Sequence, residues 1–288
     1  MSVKNFLKRE IEKTGYPLEI EISAILDRAR RWVVWNTDSY YDRDEGKLRD
    51  IDIRAVRTFE TKNLLGEVSL VIECKKDDNF AWVFFTRPYE FAEEDIRGHY
   101  LDELQMSFRN PLIDYISEII LGDCKFHYSA MKRIGVSFEE FPVQAKRATY
   151  EKKRKEIFEA ENQLKKFISY SNEQDCNFAF PDVNRIILYF PCIIFNGAMY
   201  EATIKDGKVR LEESNHVLLM TQNRTAYSNW ELGFLVDVVT KDYFEELLKK
   251  INGDIRSFVG SVKKRESKIV RELSKLSMIK ASSPSRQT

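Results

Sequence analysis

Ser69-Leu70-Val71-Ile72-Glu73-Cys74-Lys75-Lys76 reads as a strand that stays apolar until it sets a carboxylate and an ammonium two residues apart. Alternate side chains of an extended chain share a face. Glu73 and Lys75 therefore point one way, while Ile72 and Cys74 point the other way, into the core. Charges at such positions are costly to bury without compensation. Taken alone, Glu-x-Lys is a common pattern, and the solvated face of an edge strand accounts for it equally well.

The preceding strand changes the balance. Arg49-Asp50-Ile51-Asp52-Ile53-Arg54 alternates strictly, with Ile51, Ile53 and Ala55 on one side and Asp50, Asp52 and Arg54 on the other. A hairpin spanning Arg57 to Glu67 lays Asp52 beside Glu73. Two carboxylates at close range repel unless a cation lies between them. Mg²⁺ favours such a shell: few protein carboxylates, retained water and phosphate oxygens. Asp52, Glu73 and the backbone carbonyl of Cys74 supply it. Asp50 shares the face and is the alternative ligand; Asp52 is preferred because Ile51 and Ile53 flank it. Lys75 has two open tasks, to orient or acidify the attacking water, or to neutralise charge growing on phosphoryl oxygens.

A third acid comes from an earlier segment. Pro17 opens a helix after Gly15-Tyr16, and Leu18, Ile22, Ile25 and Leu26 mark its apolar face. Glu19 sits at the border of that face, where it reaches the metal or simply complements the helix dipole. Glu21 is its rival, on a more exposed arc.

Around this nucleus the first third alternates helix and strand. Strands are expected at Trp32–Trp35, Arg49–Val56, Val68–Lys75 and Ala81–Phe85, with a polar turn over Asn36–Lys47. Phe91–Met106 and Leu112–Leu121 read as helices, and a charged helix runs from about Val143 to Tyr170. Strands return at Arg185–Phe195, Met199–Ile204, Val209–Glu212, His216–Thr221 and Leu232–Val239, with Phe195-Asn196-Gly197 a hairpin signal. Helices over Lys241–Val259 and Ser261–Met278 precede a polar tail that reads as disordered. This mixture predicts an α/β fold with a helical insertion. The division is 1–85 and 149–260 for the two parts of the core, 86–148 for the insertion, and 261–288 for a charged helix and tail.

Composition bounds the function. The 288 residues carry 46 basic and 46 acidic side chains, so formal net charge is zero and any grip on nucleic acid is local. Four cysteines, none in a Cys-x-x-Cys pair, suit a reducing cytoplasm and give no zinc-ribbon spacing. The charged N-terminus is unlike a signal peptide, and no apolar run is long enough for a membrane span. His99, His127 and His216 are far apart with no ligand spacing, so each is expected to be a surface or structural residue. A phosphate-binding Gly-rich loop is absent, which disfavours an ATPase.

Gly15-Tyr16-Pro17-Leu18-Glu19, then Asp52, then Glu73-Cys74-Lys75 resemble, in type and order, the PD-(D/E)xK superfamily of restriction-endonuclease-like nucleases. The resemblance covers roughly the first 85 residues, and a weaker match falls within 155–200. Ile51 replaces the motif proline. The resemblance implies an α/β core with a central mixed sheet flanked by helices and phosphodiester cleavage with Mg²⁺ or Mn²⁺. It assigns Asp52, Glu73, Lys75 and Glu19 to catalysis. Gln163, four residues before Phe167, matches a helical Gln-x-x-x-Tyr element with Phe for Tyr. Expected substrate contacts are Arg49, Lys76, Gln163 and Tyr41. The expected partner is DNA, with homodimerisation common among relatives. The competing expectation is a nuclease-like fold that binds nucleic acid or a partner protein without cutting.

Overall fold

The turn Arg43-Asp44-Glu45-Gly46 closes a long antiparallel hairpin between β1 (Val33–Asp42) and β2 (Lys47–Glu60). Buried Asp42 accepts hydrogen bonds from the amides of Asp44 and Glu45, and Gly46 supplies the left-handed residue at φ +66°. β1 thus runs through residues that composition marks as a polar turn, because paired backbone groups outweigh the poor strand propensity of Asn and Asp. The computed structural model describes residues 2–89, 106–108, 124, 126–143, 156–177, 184–221 and 234–282.

Two helices, α1 (Val3–Glu12) and α2 (Tyr16–Arg28), precede the hairpin. The remaining strands are β3 (Leu64–Lys76), β4 (Phe80–Pro88), β5 (Met106–Phe108), β6 (Arg133–Pro142), β7 (Asn184–Asn196), β8 (Met199–Lys205), β9 (Lys208–Glu213), β10 (His216–Thr221) and β11 (Phe234–Thr240). They join one mixed sheet in the order β1-β2-β3-β7-β11-β10-β6-β4-β8-β9, with β5 alongside β7. The later helices are α3 (Glu156–Asn177) and α4 (Phe244–Ser282). The protein is therefore α/β, a large mixed sheet flanked by helices.

β3 organises the sheet. It pairs antiparallel with β2 and parallel with β7 over thirteen register positions, from Leu64–Asn184 to Lys76–Asn196. Each face of β3 belongs to a different core. Val68, Leu70, Ile72 and Cys74 pack with Leu18, Ile22 and Leu26 of α2 and Leu247, Ile251 and Phe258 of α4. Val71 packs on the other side with Ile157, Leu164 and Phe167 of α3.

Three sequence expectations change here. The segment 86–148 is not wholly a helical insertion: Arg133–Pro142 forms β6, between β10 and β4. Ile134, Val136 and Phe138 carry a two-residue period that the adjoining Glu139-Glu140 obscures. Met106 lies in β5, and the rest of the two helices expected at 91–106 and 112–121 lies outside the described residues. Asn196-Gly197 does not close a hairpin, because both edges of β7 are occupied, by β3 and by β5 and β11. The chain instead continues into β8, just as β3 continues into β4, and β4 and β8 pair in parallel. Hydrogen bonds from Asp77 N to Asn196 O and from Trp82 N to Ala198 O carry the pairing round this corner. The hairpin lies at Asp206-Gly207, both with positive φ, between β8 and β9. The two expected C-terminal helices form one continuous α4. Among the described residues no helix is long and apolar enough to cross a membrane.

The corner depends on a missing side chain. A Cβ on Gly197 would collide with the Phe195 ring and lie 2.6 Å from the carbonyl oxygen of Asp77. Gly197→Ala is expected to destabilise the fold by about 1–3 kcal/mol. Gly260→Ala on α4, where a Cβ meets nothing within 4 Å, should stabilise it by about 0.5–1 kcal/mol. Urea denaturation of both variants checks the two opposite signs; a neutral Gly197→Ala would remove the corner constraint.

Candidate active site

Pairing between β2 and β3 begins at Ile53–Ile72, which leaves Asp52 and Glu73 as the next residues of the two strands where the chains diverge. Thr37 of β1, between the Asn36–Ile53 and Asp38–Ile51 pairs, adopts φ +60°. At this level the alternation of β2 inverts. Ile53 and Ala55 face the core under α2 and α4, whereas Ile51 enters the other core beside Tyr40 and Val71. Sequence alternation had placed all three on one side. A non-glycine residue in the left-handed region carries strain, and Thr37 carries it opposite Asp52 in the β1–β2 register.

Asp52 is drawn to the centre of the structure. Its Oδ2 accepts a 2.7 Å hydrogen bond from the backbone N–H of Cys74. Burial raises its carboxyl above the usual range, while the Lys75 charge and the Cys74 amide oppose that rise. Asp50, the alternative ligand, is exposed and accepts from the Ser39 hydroxyl at 2.6 Å. Of the two acids, Asp52 is the one that reaches β3.

Glu73 is fully buried, and its Oε2 accepts a 2.7 Å hydrogen bond from Lys75 Nζ. The other oxygen, Oε1, is buried with no hydrogen-bond partner. Burial pushes the carboxyl up to about 8; Lys75 works against this shift and the neighbouring Asp52 adds to it. Burial alone would lower the Lys75 ammonium, but Glu73 and then Asp52 outweigh burial and hold it charged. A charged ammonium serves both of the tasks open to Lys75, acidifying or orienting a water and neutralising phosphoryl charge.

Glu19 joins this group through electrostatics. Burial raises its carboxyl first, the Asp52 charge raises it further, and Lys75 pulls it down. Its rival Glu21 is turned away and paired with Lys241 at 3.1 Å. The structure thus brings Glu19, Asp52, Glu73 and Lys75 together, with Cys74 supplying the backbone between the last two. The Cys74 side chain is buried in the core, as the alternation of β3 requires.

The expected substrate contacts lie further out. Arg49 is bound to Glu45 at 2.5–2.7 Å. Lys76 Nζ donates to the Glu12 carbonyl at 2.8 Å and so ties β3 to the end of α1. Tyr41 is exposed on the hairpin. Gln163 is half-buried on α3, between Glu161 and Lys165, which form a buried ion pair along the helix. α3 is fastened to the hairpin instead through Lys166, which reaches Asp42 at 2.8 Å and Asp44 at 3.1 Å.

Tyr40, rather than Tyr41, is the tyrosine near the acids. Its ring packs edge-on against Phe167, and its buried hydroxyl has no hydrogen-bond partner. Burial, followed by the charges of Asp42 and Glu73, pushes the phenol well above its ordinary value. Composition alone could not choose between adjacent tyrosines; the turn signal at Gly46, counted back in steps of two, was the available clue. Trp82 is fully buried and stacked on Phe195 at 3.9 Å.

Two histidines with no sequence spacing in common also converge. His127 and His216 both meet the buried carboxylate of Asp237, on the face of the sheet that α4 covers. Burial alone would lower the His127 imidazolium, but Asp237 and then Asp254 outweigh it and hold it at about 9.

The burial of Glu73 sets a pH dependence. Its carboxyl sits at about 8 in the folded chain, against an ordinary 4.5, so ionisation favours unfolding between those limits. The stability of Glu73→Gln relative to the parent should therefore rise as pH climbs from about 4.5 to 8, by a few kcal/mol, and then level off. Parallel stability profiles of the two proteins would contradict this. No family model, curated protein or solved structure matches the chain, so the reading of this centre rests on its own geometry.

Proposed function

We propose that this protein is a Mg²⁺- or Mn²⁺-dependent nuclease that hydrolyses phosphodiester bonds of DNA and belongs with the PD-(D/E)xK nucleases. The observation that carries this reading is the approach of Asp52 to the Glu73-Cys74-Lys75 backbone, with Lys75 bound to the buried Glu73. A divalent cation fits the donor set. Glu73 Oε1 is a buried carboxyl oxygen with no hydrogen-bond partner, and its carboxyl shares the neighbourhood of Asp52. Such an oxygen is costly to leave alone and is satisfied by a hard ion.

Asp52 and Glu73 would hold the ion, with Glu19 approaching from α2. The ion would supply Lewis-acid stabilisation of the phosphoryl group and a more acidic water. The chain's own residues do the positioning. The Cys74 amide fixes Asp52, so that the carboxylate is set before substrate arrives. The Lys75 ammonium would neutralise negative charge developing on the phosphoryl oxygens, and its burial would strengthen that interaction. The core around Ile51, Val71 and Tyr40 excludes water from one side of Glu73.

A second reading, binding without cleavage, draws on the hydrogen bond between Lys75 and Glu73, which already engages the ammonium. The assay separates the two. Purified protein with Mg²⁺ or Mn²⁺ is expected to nick or linearise plasmid DNA. Asp52→Ala and Lys75→Ala should each lower the rate by about 10²–10⁴-fold. Glu19→Gln should have a smaller effect, on the order of tenfold. DNA binding with no cleavage under either metal would support the binding-only reading, and cleavage that survives Asp52→Ala would refute the assignment of this centre.

A further inference from the structure

The sheet carries a second constellation on the face opposite Glu73. β11 alternates: Leu235 and Val239 face the core under α4, and Val236 and Val238 face the other core. Asp237 therefore projects toward α4, and it is fully buried. The register Ile72–Cys192–Asp237 crosses three neighbouring strands, so Asp237 lies two strand spacings, about 10 Å, from the level of Glu73.

Two imidazoles converge on this one carboxylate. His127 Nε2 lies 3.1 and 3.2 Å from the two oxygens of Asp237, and His216 Nε2 lies 2.7 Å from one of them. The donor atoms of all three residues fall within 4.8 Å of one another. The side chains of His127 and His216 are only 5% and 6% exposed. His127 is also held from behind. Its Nδ1 contacts Asp254 of α4, and its backbone N–H donates to the same carboxylate at 3.0 Å. A carboxylate on the far nitrogen is the usual support of a metal-binding imidazole, fixing both ring orientation and tautomer.

The spacing suits a tetrahedral ion. Bonds of about 2.0–2.1 Å to nitrogen and oxygen set ligand atoms roughly 3.3 Å apart. The His127–Asp237 contact is already near that value, the His216–Asp237 contact needs a small opening, and no two of the three donor atoms are more than 4.8 Å apart. Two imidazoles and one carboxylate favour Zn²⁺ over Mg²⁺, which prefers oxygen alone. Of the three donors, His216 borders open space. A cavity of about 180 Å³ borders His216 and is lined by Thr86, Arg133 and Glu201. It has room for several waters.

We propose that His127, His216 and Asp237 bind one divalent transition-metal ion of zinc type, with Asp254 orienting His127 and water from the cavity completing the shell. The ion takes the lone pairs of the two Nε2 atoms, in place of the hydrogens that otherwise lie between these rings and Asp237. The site is separate from the Asp52–Glu73 centre in position, donor chemistry and preferred metal, so neither proposal stands or falls with the other.

Co²⁺ added to the chelator-stripped full chain tests the proposal, since tetrahedral Co²⁺ absorbs strongly in the visible. The expected result is one equivalent bound with intense bands, displaced by Zn²⁺, lost in His216→Gln and retained in Asp52→Asn. Asp254→Asn should keep the bands while weakening affinity by about 10–100-fold. Absence of the bands in the wild-type chain, or bands that survive His216→Gln but vanish in Asp52→Asn, would overturn it. Should His216→Gln fail to fold, X-ray absorption on the Zn²⁺-loaded wild-type chain decides the matter. A nitrogen and oxygen shell with imidazole scattering is expected, and sulfur in the first shell would refute the donor set.

Discussion

A carboxylate placed in the middle of a sheet that is packed on both faces is the constraint around which this protein is arranged. Glu73 pairs with β7 just beyond the end of the β2 ladder and is fully buried, so water cannot solvate a charge there. One ammonium two residues along and one unpartnered oxygen are what remain. A sequence selected for stability alone would fill this position with an apolar residue, as it does at Val71. The cost is tolerated where the group has work to do.

The backbone cooperates with that charge. Were β2 to pair with β3 to its end, Asp52 would be held in the ladder with its side chain fixed by alternation. The left-handed Thr37 stands opposite Asp52 in the β1–β2 register, and Asp52 accepts a hydrogen bond from the Cys74 amide. Beside it, Ile51 and Tyr40 enter the core beneath α3. The ribbon is fastened at its far end by buried Asp42, which serves both its own turn and Lys166 of α3.

Both polar constellations lie near the level at which β3, β7 and β11 run side by side. Strands buried on both faces give rigid positions, and each face lends its alternate residues to a different core. Glu73 uses the face toward α3, and Asp237 the face toward α4. Asp254 projects from α4 and meets His127 across the core, so the longest helix contributes a polar contact as well as apolar packing.

What the sequence determined by itself was local. The two-residue period of Arg49–Val56 and Val68–Lys75, and the 3.6-residue period of Leu18, Ile22 and Leu26, place Asp52, Glu73, Lys75 and Glu19 on their elements, because periodicity is a property of neighbouring residues. The tertiary structure decided everything that depends on who pairs with whom. Asn196-Gly197 has the chemistry of a hairpin turn, yet β7 already has neighbours on both edges, so the chain must pass on into β8. The strand at Arg133–Pro142 has a two-residue period that its glutamates mask. His127, His216 and Asp237 share no spacing, since strand order and the packing of the turn at His127 under α4, rather than any local pattern, bring them together. Ile51 follows the alternation of its strand in sequence and breaks it in space, at the level of a left-handed residue on the partner strand that the spacing of β2 does not show.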